Sequence, residues 1–305
     1  DVNFVDVIFT FNLTVSQRPY RVNRRYALVA WRQTKLTQEF SMQDPSFSIL
    51  PFLQREKKPR EKGINYVRAP VLVGSCIDEY LEAYGHLVDI FKLSGKQAAM
   101  MSRTSLIKFI RTCKNHEVQV ALGNPLMDVA LVGGKAVVDE FLNNVISYEI
   151  DIIEISSISR TLDDDEMCQL IDNATSKRIK VINEIGVAFA HSEVSDETIF
   201  LERLKSQSKR FIEAGSWKIL LESEGLTENI DKKDYRWNII DKIISPLELT
   251  QFMVEADDQD VMSKYIEIYG PGVNMMVDYS RLLKMEDARI GYGPSQFLWG
   301  KVVKY

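Results

Sequence analysis

Asp151-Ile152-Ile153-Glu154-Ile155-Ser156, a polar-faced helix, then Lys180-Val181-Ile182-Asn183-Glu184-Ile185-Gly186: the fold is decided in this stretch. Each apolar run is short, mostly β-branched, and carries a carboxylate where it ends. Near-continuous runs of this kind suit strands buried on both faces, the habit of a parallel sheet flanked by helices. A glutamate at the end of a buried strand is costly unless it is paired, bound to a metal or solvated in a cleft. The pattern recurs at Ile219-Leu220-Leu221-Glu222 and at Phe252-Met253-Val254-Glu255.

Working outward, strands are expected over residues 67–73, 88–93 and 118–122, in the runs ending at Glu154 and Glu184, and over 218–221, 249–255 and 273–278. Helical patterning fills residues 77–84, 104–114, 135–148, 161–176, 195–214, 234–244 and 257–269, and Gly123-Asn124-Pro125 breaks the third strand sharply. Strands alternating with helices in this number predict an α/β fold, a closed (β/α)8 barrel of TIM type. No Gly-x-Gly-x-x-Gly follows a strand, which disfavours a dinucleotide fold. The acidic run Asp163-Asp164-Asp165-Glu166 sits where carboxylates favour a helix dipole, so it reads as a helix start rather than a calcium loop.

Residues 1–62 read differently, as an irregular N-terminal extension to a barrel domain over 63–305. The first methionine is Met42, so residues 1–41 are expected to be an upstream extension outside the functional protein. The basic run from Arg55 to Lys62 reads as a solvated linker, because acids and Pro59 interrupt it. A formal charge of −5 gives no support for nucleic-acid binding, which needs a clustered basic face. The apolar run at residues 2–15 is too short to span a bilayer and lacks a basic leader. Cys76, Cys113 and Cys168 lie far apart without metal-ligand spacing, which points to a reducing compartment and a cytoplasmic protein.

In such a barrel the carboxyl ends of the strands share one mouth. In order they supply Lys92, Asn124, Glu154, Glu184, Glu222, Glu255 and Asp278. A single lysine cannot neutralise so many acids, so the surplus carboxylates either stay apart in water or hold a divalent cation. Hard oxygen ligands of this kind suit magnesium, Mg2+, which takes carboxylates together with substrate oxygens. His86, His116 and His191 fall near helix ends or in loops, and Ser75 and Ser94 have no histidine at workable spacing, so a hydrolase triad is unsupported. Trp217 starts a strand and is expected to pack at the bottom of the barrel.

Seven short motifs in order carry a resemblance: Val88 through Gly95, Asp151 through Ser156, Asn183-Glu184-Ile185-Gly186, Ala214-Gly215 before the strand ending in Glu222, Val254-Glu255-Ala256, Tyr269-Gly270-Pro271-Gly272-Val273-Asn274 and Arg289-Ile290-Gly291. Over residues 58–305 the chain resembles the phosphosulfolactate synthase family, and around Tyr269 to Asp278 it is most similar to the plant heat-stress-associated members. The resemblance implies a magnesium-dependent lyase adding sulfite to phosphoenolpyruvate to give 3-sulfolactate 2-phosphate. It implies metal ligation by Glu154, Glu184, Glu222 and Glu255, and catalysis by Lys92, as general acid, with Glu184. Asn124, Arg289 and the amides around Gly291 and Gly293 would bind the substrate and its phosphate. The expected partners are thus small anionic substrates, an enol phosphate and sulfite, in a protein able to form a homo-oligomer, with no nucleic acid and no membrane. Val187-Ala188 stands where archaeal members carry lysines. Two other readings stand beside it: a barrel that keeps the fold as a non-catalytic, stress-related or protein-binding factor, and an aldolase-like barrel using Lys92 as a Schiff base.

Overall fold

The computed structural model describes residues 46–47, 55–71, 75–156, 162–186 and 197–291. The chain separates into compact units at Asp1–Pro51 and Phe52–Tyr305. In chain order the elements of the second unit are β1 (Asn65–Arg68), α1 (Ser75–Tyr84), β2 (Ile90–Leu93), α2 (Gln97–Met100), α3 (Arg103–Asn115), β3 (Gln119–Leu122), α4 (Pro125–Val132) and α5 (Lys135–Ser147). Then come β4 (Ile152–Ile155), α6 (Asp164–Ser176), β5 (Lys180–Ile185), α7 (Glu197–Glu213), β6 (Lys218–Leu221), α8 (Trp237–Ile244), β7 (Phe252–Glu255), α9 (Gln259–Tyr269), β8 (Met275–Asp278) and α10 (Leu282–Arg289). The strands pair in parallel, each with its neighbours in sequence, and β8 closes on β1. This is the expected (β/α)8 barrel.

The unbroken apolar runs are explained by two cores. Alternate residues face outward, where Val67, Phe91, Val120, Ile153, Val181, Ile219, Val254 and Val277 pack with the helices. The others face inward, where Tyr66, Ile90, Ala121, Ile152, Ile182, Leu220, Met253 and Met276 fill the barrel. Because side chains alternate with a period of two, the residues two places further on point inward at the carboxyl end. Those residues are Arg68, Lys92, Gly123, Glu154, Glu184, Glu222, Glu255 and Asp278. At the amino end Lys218 Nζ donates to the carbonyls of Glu61 (3.2 Å) and Thr250 (2.5 Å). Trp217 lies between Lys180 and Lys218, whose Nζ atoms are 4.3 and 4.5 Å from its ring, and it packs on the interior core at the expected bottom face.

Several boundaries differ from expectation for identifiable reasons. The first strand ends at Arg68 rather than running to residue 73: Ala69 N–H still donates to Lys92 O, but Pro70 has no N–H to continue the ladder. The expected break at Gly123-Asn124-Pro125 does end β3 at Leu122, and it also starts a helix, because Pro125 occupies a first-turn position where its missing donor costs nothing. Asp163 caps α6 and shares a capping box with Glu166, so the acidic run is a helix start. The basic run at 55–62 is not a solvated linker: Arg60 is 8% exposed and pairs with Asp89, and Arg55 pairs with Glu286. No helix among the described residues is long and apolar enough to cross a membrane.

Candidate active site

The mouth is built by that two-residue step. Glu154, Glu184 and Glu255 sit on β4, β5 and β7, and Glu222 directly follows β6. Among the described residues, Glu184, Glu222 and Glu255 bring one carboxylate oxygen each to within 4.8 Å of one another, a group that could hold a metal ion. Glu184 and Glu255 are each 7% exposed. Burial first, and then the neighbouring carboxylates, push Glu184 and Glu255 up to about 7 and raise Glu222 as well. A divalent cation would supply the missing counter-charge, so the donor set fits a hard metal. Neighbouring groups orient all three, Arg68 donating to Glu255. Asn124 Nδ2 donates to Glu184 and to Ser156 Oγ, while the Ser223 amide donates to Glu222 Oε1 at 3.0 Å.

These shifts set a pH dependence. Without metal, the folded chain holds more protons than the unfolded chain between about pH 4.5 and 7, because Glu184 and Glu255 titrate late. Stability is then greatest at the acid end of that window and falls as the pH rises through it, by a few kcal/mol, on the order of one per pKa unit for each group. Urea unfolding at pH 5, 6 and 7 in a chelator should show this decline, and Glu255→Gln should flatten it. A slope indifferent to that substitution would contradict the assignment.

Glu154 does not join the metal group. Its Oε2 pairs with Lys92 Nζ at 2.8 Å and accepts the Asn124 amide at 3.2 Å, and its Oε1 accepts the Tyr66 hydroxyl at 2.7 Å. The structure thus places Glu154 beside the group of three, with both oxygens engaged by Lys92, Tyr66 and Asn124. Burial alone would depress the Lys92 ammonium, but Glu154 and Glu184 outweigh it and the pKa is raised. That keeps the lysine charged, with its proton held more tightly than in water, and it disfavours the free amine an aldolase would need. Gly123 leaves room for this side chain, since a Cβ there would stand 3.2 Å from Lys92 Cε. Gly123→Ala is expected to lower turnover about tenfold by displacing the ammonium, with little change in Tm. Equal turnover in the two proteins would show that the position of Lys92 does not matter.

The structure does not bring Arg289 and Gly291 to the carboxylates. Arg289 donates to Asn65 Oδ1 at 3.1 Å and to the Pro271 carbonyl, next to Glu286. Asn65 begins β1, so this fully buried arginine lies at the amino end of the barrel, opposite the carboxylates. Gly291 follows it there, and Gly293 lies outside the described residues, as do Val187, Ala188 and His191. Asp278 is at the mouth but serves a turn, accepting from Ser280 N at 3.0 Å and Ser280 Oγ at 2.6 Å. Two mouth residues went unnoticed in the sequence. Tyr66 holds Glu154, and Arg68 pairs with Glu255 and Asp257. The signal for Arg68 was present: placing the end of β1 at Pro70 makes it the inward residue after Tyr66.

The family description of (2R)-phospho-3-sulfolactate synthase (ComA) matches residues 53–293, the whole barrel with this mouth. The chain belongs to that family. Within the phosphosulfolactate synthase family it is 23% identical over 255 residues to Protein HEAT-STRESS-ASSOCIATED 32 of Arabidopsis thaliana, covering 77% of this chain and 88% of that one. It is 24% identical over 225 residues to the phosphosulfolactate synthase of Methanothermobacter thermautotrophicus, covering 72% and 85%. Among solved structures, 3-hexulose-6-phosphate synthase from Salmonella typhimurium aligns with a TM-score of 0.51 at 11% identity, covering 75% of this chain and 99% of that one. This last likeness bears on the barrel fold alone.

Proposed function

We propose that this phosphosulfolactate synthase family member is a magnesium-dependent carbon–sulfur lyase that adds sulfite to phosphoenolpyruvate, giving 3-sulfolactate 2-phosphate. The observation that carries the reading is a group of three carboxylates, two buried and one half-buried, raised in pKa by burial and by one another, beside a buried ammonium. In the reaction the sulfite sulfur forms a bond to the terminal alkene carbon. The electron pair of the double bond moves toward the substrate carboxylate, and the adjacent carbon then takes a proton. Magnesium held by Glu184, Glu222 and Glu255 would supply positive charge where that negative charge develops. Lys92 is placed to deliver the proton, and Glu154 and Tyr66 keep its side chain in position. Asn124 fixes the Glu184 carboxylate and offers the substrate a polar neighbour.

The plant relative's name and the acidic loop holding Glu224 and Glu228 favour a second reading, a barrel that serves a stress-related role by binding rather than turnover. The readings part on an assay. Phosphorus NMR should show phosphoenolpyruvate consumed with sulfite only when magnesium is present. No consumption, together with no magnesium-dependent rise in Tm, would favour the binding protein.

A further inference from the structure

We propose that Arg68 binds an anionic oxygen of the substrate and becomes available for it when Glu255 is drawn into a cation site, so that cation and anion binding reinforce each other. This rests on the reading of Glu184, Glu222 and Glu255 as a metal site. Arg68 closes β1 in register with Lys92 on β2 and Asp278 on β8, which puts it at the rim of the same mouth. Its guanidinium pairs with Glu255 and with Asp257. Glu255 therefore belongs to two arrangements at once, as a partner of Arg68 and as a member of the carboxylate group.

Those arrangements compete for the same charge. When Glu255 turns its electron density to a cation, the guanidinium loses most of one partner but not its own charge, since arginine stays protonated. Asp257 retains the other side of the fork, and is itself fixed by the Asp278 amide at 2.7 Å. Arg68 is thus held at the rim by Asp257 while the side of its fork that faced Glu255 is released. Its side chain is 21% accessible against 9% for Glu255, so it lies on the side from which a ligand arrives. Lys92, held by Glu154, is not free for that task. A planar fork of N–H donors suits the paired oxygens of a carboxylate, a phosphate or sulfite. The ligand class is accordingly a small, multiply charged anion. Coupling of this kind is reciprocal: each ligand raises the affinity for the other by the same factor.

Titration calorimetry on the full chain tests this with magnesium chloride and inorganic phosphate as probes, each titrated with and without the other. In the wild type each should tighten the other about tenfold. In Arg68→Gln, magnesium alone should bind as well as or better than in the wild type, because Glu255 has lost a competitor. Phosphate should bind about tenfold more weakly or worse, and the coupling factor should fall close to one. Arg68→Lys, which keeps the charge without the fork, should fall between. An unchanged coupling factor in Arg68→Gln overturns the proposal, as does phosphate binding in the wild type that ignores magnesium or fails in its presence. If the wild type takes up no magnesium, the metal site and this role fall together. Magnesium uptake without coupling removes only the role of Arg68.

Discussion

Glu184→Gln is expected to abolish magnesium-dependent turnover, by at least about a hundredfold, while making the metal-free protein more stable rather than less. Both effects come from the same charge. Glu184 is 7% exposed and stands near Glu154, Glu222 and Glu255, so ionising it in the folded state is unfavourable and its pKa rises to about 7. Glutamine keeps the shape and still accepts from Asn124, but it removes the repulsion. At pH 8 in a chelator the variant should gain about 2 kcal/mol, measured by urea unfolding. The rise in Tm on adding magnesium should shrink at the same time, because one ligand oxygen has lost its charge. A purely structural glutamate would behave oppositely, with stability falling and the response to magnesium unchanged. That outcome would remove Glu184 from the metal group.

Arg289→Met should cost about 3 kcal/mol, a fall in Tm of about 6–12 °C, and leave turnover per folded molecule and the KM for phosphoenolpyruvate unchanged. Arg289 is fully buried, and burial followed by the nearby Arg55 guanidinium pulls its pKa down to about 9. It stays because Glu286, Asn65 and the Pro271 carbonyl surround it, and Asn65 in turn donates to Glu286 at 2.6 Å and to the Leu87 carbonyl at 2.8 Å. Methionine fills the volume but leaves part of this network without its cation, which is the costly half of breaking a buried pair. Were Arg289 a phosphate ligand, KM would rise severalfold with little loss of stability. The two outcomes separate cleanly, and calorimetry alongside initial rates reads both.

The barrel was legible because its signal is periodic and repeated. A strand buried on both faces has to be apolar throughout, so Ile152-Ile153 and Ile219-Leu220-Leu221 announce themselves, and the closing glutamates mark the end that faces the mouth. The short α4 and the polar α10 were missed for the converse reason. Pro125 looks like a breaker until it is seen at a helix start, and α10 carries Lys284, Glu286, Asp287 and Arg289 along its length.

The site was legible in its residue types but not in its partnerships. Glu154 and Glu184 carry the same strand-end signal, yet Glu154 pairs with Lys92 and accepts from Tyr66 while Glu184 meets two other acids. That distinction depends on which side chains meet across the barrel, and strand-end position alone does not encode it. In the sequence Arg289, a cation close to glycines near the end of the chain, looks like a phosphate site. Only the downward return of α10 shows that it reaches the opposite end of the barrel. A strand over residues 67–73 puts Arg68 near its amino end, whereas β1 runs from Asn65 to Arg68 and leaves the arginine at the rim.

The position of a bound metal tests the proposed site most directly. A crystal soaked with manganese(II) as an anomalous stand-in for magnesium, together with phosphoenolpyruvate, should show a single ion at the mouth coordinated by oxygens from Glu184, Glu222 and Glu255, with Glu154 still on Lys92. An ion bound elsewhere, or no ion among those three carboxylates at millimolar manganese, would contradict it.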